Sequence, residues 1–262
     1  MDKYLSLAYQ NTIEFPNNKE YESIDLISSG AENVILDGYP NLQRIRISKC
    51  HKLQKIHLSN MPKLQVVDLL DNINLENVIF QECTSITTIE AGYNSNLKQI
   101  EGIKNVEYLS VPHCYKLNLK NLEKLIFLDI TNSITIDVNE ILKNSPNLEC
   151  LCCSPNYTLN LSDITKNHSL KILQIQSTKI ECDSIDDGSQ LKIIIFDKCN
   201  DYTNSIVNKG SSGGILKTMK SYFTGKSNIL SEEVQNILSR FYVTDNVHSN
   251  QKIENVLQID EF

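Results

Sequence analysis

Residues 42–96 are written as five units of eleven residues, LQRIRISKCHK, LQKIHLSNMPK, LQVVDLLDNIN, LENVIFQECTS and ITTIEAGYNSN, and Leu97 opens a sixth. The first position of every unit is leucine or isoleucine, and the fourth is isoleucine or valine. Self-similarity at a fixed period is the signature of a repeat protein, in which each unit buries an apolar face against its neighbours. This stretch therefore predicts an array of stacked coils.

The pattern continues on both sides of this stretch, and a full coil contains two of the eleven-residue halves. Successive coils begin 19–23 residues apart, at nine apolar positions: Tyr21, Leu42, Leu64, Ile86, Val106, Leu125, Leu148, Leu170 and Leu191. In the first half of a coil, apolar residues alternate two apart, as Ile45 and Ile47 do, which is the period of a β-strand. These first halves are predicted to pair in parallel.

The second halves return the chain to the start of the next coil. They are predicted to be extended in the early coils and to form short helices later. TIDVNEILKNS (135–145) and SDITKNH (162–168) each combine a candidate N-cap, an acidic residue and helical spacing.

The pattern L-x-x-L-x-L-x-x-N/C-x-L, as in NLQRIRISKCHKL, VEYLSVPHCYKL and LECLCCSPNYTL, resembles the leucine-rich repeat over residues 21–199. The resemblance implies an α/β solenoid of horseshoe shape, with a parallel β-sheet on the concave side, a mostly extended or short-helix convex side, and a role in recognition. It also implies an inward side-chain ladder at one position of each coil, occupied here by Cys50, Asn72, Asn94, Cys114, Ser133, Asn156, Thr178 and Cys199, with Cys83 in a return half.

The segments outside the array are predicted to have other roles. Residues 1–20 are expected to cap the first coil of an array that spans residues 21–200. Residues 201–262 are expected to form a linker, NKGSSGG (208–214), and a tail with amphipathic helices at 215–223 and 231–242. The fold prediction therefore includes a small α-helical C-terminal extension.

Composition narrows the class of partner. The net charge of -7 and the pI near 5.3 oppose a nucleic-acid or anionic-membrane surface, because phosphate binding needs clustered Lys and Arg. No apolar run has the length of a membrane span or of a signal-peptide core. We expect a cytoplasmic protein, in the host cytosol if it is a secreted effector, with a protein as its partner.

The cysteines are predicted to be reduced, buried thiols rather than metal ligands. Cys150, Cys152 and Cys153 are close in sequence, but the lateral neighbours predicted for the first two cannot complete a tetrahedral zinc shell. KGSSGGILKT lacks the spacing of a phosphate-binding loop, and no cysteine follows Cys199 to serve as a nucleophile in a separate domain. No cofactor, metal or enzymatic activity is predicted.

The register of the strands predicts which side chains line the concave face. The third-position row runs Ser23, Arg44, Val66, Thr88, Tyr108, Phe127, Cys150, Ile172 and Ile193. The fifth-position row runs Asp25, Arg46, Asp68, Glu90, Ser110, Asp129, Cys152, Gln174 and Ile195. The face is therefore expected to be acidic in its N-terminal half and apolar in its C-terminal half, where the stripe either binds a partner or docks the C-terminal helices of the chain itself.

Two functions remain open from the sequence. The first is a non-enzymatic protein-interaction scaffold that binds a partner through the concave face, with nine candidate binding residues: Asp68, Glu90, Tyr93, Tyr108, Phe127, Asp129, Ile172, Ile193 and Ile195. The second is an adaptor in which the amphipathic tail, residues 215–262, engages the partner and the repeats present it.

Overall fold

A computed structural model describes residues 3–9, 15, 19–120, 122–176, 178, 180–181, 188–191, 193–197 and 256–258. The chain divides into two compact units, Met1–Asn147 and Leu148–Phe262. Each unit is built from parallel strands that follow one another coil by coil, so the predicted solenoid is confirmed. The predicted helical segments 215–223 and 231–242 lie outside the described residues.

In unit 1 the first halves of the coils form a parallel sheet, which we name the front sheet. Its strands lie in chain order, each paired with the next coil. With labels that follow the chain, they are β1 (Tyr4–Ala8), β2 (Ser23–Ile27), β4 (Arg44–Ser48), β6 (Val66–Asp68), β8 (Thr88–Glu90), β10 (Tyr108–Ser110) and β11 (Phe127–Ile130). The segment predicted as a cap thus contributes one further parallel strand.

The second halves in unit 1 form a smaller parallel sheet, which we name the return sheet. Its strands are β3 (Asn33–Asp37), β5 (Lys55–Ser59), β7 (Asn77–Gln81) and β9 (Gln99–Glu101). The last return segment of the unit is helical, as its sequence predicts: α1 spans Val138–Asn144, and the Asp137 carboxylate caps it by accepting hydrogen bonds from the N–H groups of Asn139 and Glu140.

Each eleven-residue half turns four side chains inward, at its first, fourth, sixth and ninth positions. In the first unit of the repeat these are Leu42, Ile45, Ile47 and Cys50, and all four are completely buried. Burial of a large aliphatic side chain contributes roughly 1.5–3 kcal/mol. The repeated spacing therefore gives each of the five halves between Leu42 and Asn96 the same inward set, and this set fixes the register of their coils.

The corner before each ninth position uses left-handed backbone. Among the described residues of unit 1, positive φ angles recur at nine non-glycine positions: Tyr9, Ser28, Lys49, Asn60, Asp71, Glu82, Tyr93, His113 and Asn132. Gly38 and Gly102 take the same conformation. A left-handed residue turns the strand sharply, so that the next side chain points into the core while the corner side chain points to solvent.

The inward ladder at the ninth position links successive coils. The Cys50 N–H donates to Asn72 Oδ1 at 2.9 Å, and the Asn72 N–H donates to Asn94 Oδ1 at 2.9 Å. Further along the unit, the Cys114 N–H donates to Ser133 Oγ at 3.0 Å. The ladder begins one coil earlier than predicted, because the Ser29 N–H donates to Cys50 Sγ.

Unit 2 repeats this plan with shorter elements. Parallel strands β12 (Cys150–Cys153), β14 (Ile172–Gln176) and β16 (Ile193–Asp197) pair in order, and β13 (Leu159–Asn160) pairs with β15 (Ile180–Glu181). Between them, α2 (Leu161–Ile164), capped by Asn160, overlaps the second predicted helical segment, 162–168, in its first three residues.

Unit 2 contains one strand outside the repeat pattern and one departure from prediction. The described part of the C-terminal extension, Val256–Gln258, lies outside the two predicted helical segments and forms strand β17, which pairs antiparallel with β16. Asn156 was predicted to be a ladder residue, but it is exposed, and Thr178 Oγ1 instead donates to the backbone carbonyl of Pro155. Proline at 155 changes the corner, because its ring fixes φ and it has no N–H to donate.

Candidate protein-interaction face

The register of the front sheet in unit 1 aligns the two predicted rows of outward side chains. The third-position row runs through Ser23, Arg44, Val66, Thr88, Tyr108 and Phe127, and the fifth-position row through Asp25, Arg46, Asp68, Glu90, Ser110 and Asp129. We name the solvent side formed by these two rows the front face. Strands lie about 4.8 Å apart, so side chains in neighbouring coils of one row touch.

The apolar part of the front face is a ring pair. The Tyr108 and Phe127 rings lie with centroids 6.2 Å apart and an interplanar angle of 22°. Both side chains are half-buried, and both stand on rigid paired strands. Aromatic groups held in this way present a large contact area at a low cost in conformational entropy, which suits them to binding a partner.

The acidic part of the front face is largely neutralised within the protein. Arg46 Nε donates to Asp68 Oδ2 at 2.7 Å, and Arg46 Nη1 lies 3.7 Å from Asp25 Oδ2. The Tyr4 hydroxyl donates to the same Asp25 oxygen at 2.9 Å. Asp25 and Asp68 are 8% and 5% exposed, so they are buried members of an ion-pair network. The prediction that Asp68 offers an open carboxylate is therefore wrong.

Asp129 also has an internal role, since its Oδ1 accepts a hydrogen bond of 2.9 Å from the Thr131 N–H at the end of its strand. Asp68 makes the equivalent contact with the Leu70 N–H at 3.2 Å. A short aspartate side chain can reach back to the backbone two residues on, as in an Asx turn. Part of the predicted acidic row is thus explained by the corners that follow it.

Glu90 differs from its neighbours in the row. Its side chain is half-buried, and among the described residues no hydrogen bond or ion pair reaches its carboxylate. Burial raises the pKa of the Glu90 carboxyl, and the nearby charge of Asp68 raises it further, while the guanidinium groups of Arg44 and Arg46 act in the opposite direction. This partly desolvated carboxylate lies on the front face one coil from Tyr108 and two coils from Phe127.

In unit 2 the predicted apolar stripe is not open to solvent where its side chains are described. Ile172 and Cys150 are both completely buried, and Cys152 is 6% exposed. A side chain without accessible surface cannot bind a partner in this conformation, so the burial of Ile172 is compatible with the alternative prediction that the stripe is covered within the chain. The backbones of Ile193 and Ile195 pair in register with Ile172 and Gln174, and their side chains lie outside the description.

Tyr93, the remaining predicted residue, lies at a corner beside the front face. It is 41% exposed, and its ring stacks on His113 with centroids 4.7 Å apart. Tyr115 completes the cluster, because its hydroxyl lies 3.1 Å from His113 Nδ1. Sequence reasoning did not identify His113 and Tyr115. Their signal was present in the eleven-residue spacing, which places 93 and 113 at the same corner position of successive coils.

The cysteines are suited to packing. Within the described part of the chain, no three His, Cys, Asp or Glu side chains are placed to hold a metal ion. Burial raises the pKa of the Cys50 and Cys83 thiols and raises that of Cys114 to about 12. Such thiols stay protonated near neutral pH, so they are poor nucleophiles and poor metal ligands.

Comparison of the chain with protein-family models and with curated proteins found no match. No helix among the described residues is both long and apolar enough to cross a membrane. Of the predicted adaptor tail, residues 215–262, only β17 is described, and it is attached by pairing to β16.

Proposed function

We propose that this protein is a non-enzymatic scaffold that binds a protein partner through the front face of unit 1. The observation that carries the proposal is that the Tyr108–Phe127 ring pair and Glu90 share the front face, with Tyr108 one coil and Phe127 two coils from Glu90. Rigid aromatic groups next to an unpaired, partly desolvated carboxylate favour a partner that brings an apolar anchor and a positive charge. The solenoid supports this reading, since paired strands hold these groups in fixed positions.

We further propose that the array belongs to the leucine-rich-repeat class, with the front sheet as its concave side. The inward ladder of Asn, Cys and Ser side chains supports the assignment, because the ladder links coils at the position that the repeat pattern reserves for it. On this proposal the front face lines the inside of a horseshoe, and a partner is gripped by residues from several coils.

The test is affinity capture of cellular proteins by the full chain, quantified for matched variants. Glu90→Lys and Phe127→Ser alter the front face, whereas Glu101→Lys and Ile79→Ser alter one outward row of the return sheet. We expect a protein that is captured by the wild type and by both return-sheet variants but lost with both front-face variants. Capture that persists with Glu90→Lys and Phe127→Ser would overturn the proposal.

A further inference from the structure

A second aromatic cluster lies at the corner where front-sheet strands end. The His113 ring contacts both Tyr93 and Tyr115, and Ile73 and Ile134 in the flanking coils remain 41% and 49% exposed. Half of the large apolar side chains that are exposed in the described structure belong to this one corner. Single exposed apolar residues are ordinary, but such a contiguous group indicates a binding surface.

The corner cluster and the front face form one continuous surface. After Glu90 and Ser110 the outward positions are Gly92 and Pro112, and both of these residues are buried. Gly92 lies so close to the neighbouring coil that a Cβ atom would sit 2.9 Å from Pro112 Cγ. Along these two coils, therefore, no side chain that projects far from the surface lies between Tyr108 and the residues Tyr93 and Tyr115.

The dimensions of this surface match an extended peptide. From Tyr108 to His113 the coil advances five residues, a span of at most roughly 16 Å at the rise of a β-strand, because the strand ends at Ser110 and the chain turns at His113. Glu90 lies between the two aromatic clusters, and the carboxylates nearest to it, Asp68 and Asp129, already accept hydrogen bonds within the protein. Glu90 is therefore the half-buried carboxylate in the middle of the surface that no hydrogen bond or ion pair among the described residues engages, although the nearby guanidinium of Arg44 acts to lower its pKa.

We propose that this surface, running from the Tyr108–Phe127 pair over Gly92 and Pro112 to the Tyr93–His113–Tyr115 cluster, binds an extended peptide segment of the partner. The segment carries a Lys or Arg that pairs with Glu90, flanked by two apolar or aromatic residues about five positions apart. This inference rests on the proposed function and names the chemistry of its partner. The two apolar residues of the peptide fix its position along the surface. A peptide without a cation leaves the Glu90 carboxylate unpaired and therefore binds more weakly.

The experiment is a selection from a phage-displayed library of random peptides of about twelve residues against the full chain. Selected peptides are synthesised, and their Kd values are measured by fluorescence anisotropy. We expect Lys or Arg between two apolar residues, and at least about tenfold weaker binding to Glu90→Gln, Tyr93→Asn and Tyr115→Ser. Asparagine is chosen at 93 because it tolerates the positive φ of that corner.

Matched controls separate surface chemistry from folding. Tyr9→Asn removes an 82% exposed tyrosine at another left-handed position, and Glu101→Gln removes an exposed carboxylate of the return sheet. Both controls should bind within about twofold of the wild type.

The outcomes distinguish this inference from the proposed function. Peptides that respond to Phe127→Ser and Glu90→Gln but not to Tyr93→Asn or Tyr115→Ser would overturn the extension over the corner and leave the front-face proposal standing. Peptides that respond to none of these four substitutions would contradict both. A selection that enriches no peptide would overturn the proposal that the partner binds as an extended peptide. The capture experiment alone would then test the proposal that the front face binds a partner.

Discussion

Asn72 Oδ1 accepts a hydrogen bond of 2.9 Å from the backbone N–H of Cys50, one coil earlier in the solenoid. The Asn72 amide group also donates to the carbonyl of Ile47 at 2.8 Å and to that of Leu69 at 2.7 Å. One completely buried side chain thus satisfies three backbone groups at the inner corner of two coils. The ladder supplies the polar partners that an apolar core lacks at this turn.

Asn72→Leu should lower the free energy of unfolding by about 3 kcal/mol, because it leaves buried N–H and C=O groups without partners. Urea denaturation followed by circular dichroism measures the loss. The matched control is Asn74→Leu, since Asn74 is exposed and donates to the His51 carbonyl at the surface. The control should change stability by less than about 0.5 kcal/mol, and equal losses for both variants would contradict the role of the ladder.

Arg46→Met should be destabilising by about 3 kcal/mol, because it removes the cation that Asp25 and Asp68 share. The penalty comes from the two buried carboxylates left behind. The triple variant Arg46→Met, Asp25→Asn, Asp68→Asn should therefore recover most of the stability. Thermal denaturation of the single and triple variants checks this, and a triple variant that is less stable than Arg46→Met would show that the network has been misread.

Gly102→Ala should cost more stability than Gly38→Ala, although both glycines have positive φ. At Gly102 a Cβ atom would lie against the backbone carbonyl of Phe80 in the neighbouring coil, whereas at Gly38 it would meet only the mobile end of the Lys19 side chain. We expect about 1 kcal/mol at Gly38 from backbone conformation alone, and at least about 3 kcal/mol at Gly102. Urea denaturation midpoints compare the two, and equal costs would contradict the close approach of the coils.

Glu90→Gln tests the electrostatics of the front face. Burial raises the pKa of the Glu90 carboxyl above its ordinary 4.5, so the protonated form favours the folded state. The stability from this group is complete below pH 4.5 and is lost as the pH rises through the raised pKa. Relative to the wild type, Glu90→Gln should gain stability across that window and keep the gain at pH 7. Urea denaturation between pH 4 and pH 7 measures the difference, and a difference that shrinks with rising pH would contradict this assignment.

The sequence predicts much of this fold because the solenoid repeats one local rule. The spacing of Leu42, Ile45 and Ile47 reports directly which side chains point inward, and parallel pairing without offset transfers that register to every coil of unit 1. The repeat pattern makes no correct prediction where the sequence departs from it. At Pro155 the ladder contact moves away from Asn156. Val256–Gln258 forms an antiparallel strand, which lies outside the repeat pattern.

The candidate site was harder to predict because exposure depends on what lies across from each side chain. The repeat register correctly predicts that Asp68, Glu90 and Asp129 share one row. It does not predict that Arg46 pairs with Asp68, or that a backbone N–H donates to Asp129. Ile172 has the right position for an exposed stripe, yet it is completely buried. Tyr93 belongs to an aromatic cluster because the corner backbone places its ring against that of His113, a contact that the sequence pattern does not show.

Site-specific photo-crosslinking can decide whether the front face binds the partner. A benzoylphenylalanine replaces Thr88, which lies on the front face between Val66 and Tyr108, and a second variant carries it in place of Asn77 on the return sheet. We expect irradiation of cells to link Thr88→benzoylphenylalanine to a partner protein, and Phe127→Ser to abolish the link. A partner that is linked from position 77 and not from position 88 would contradict the claim that the front face binds it.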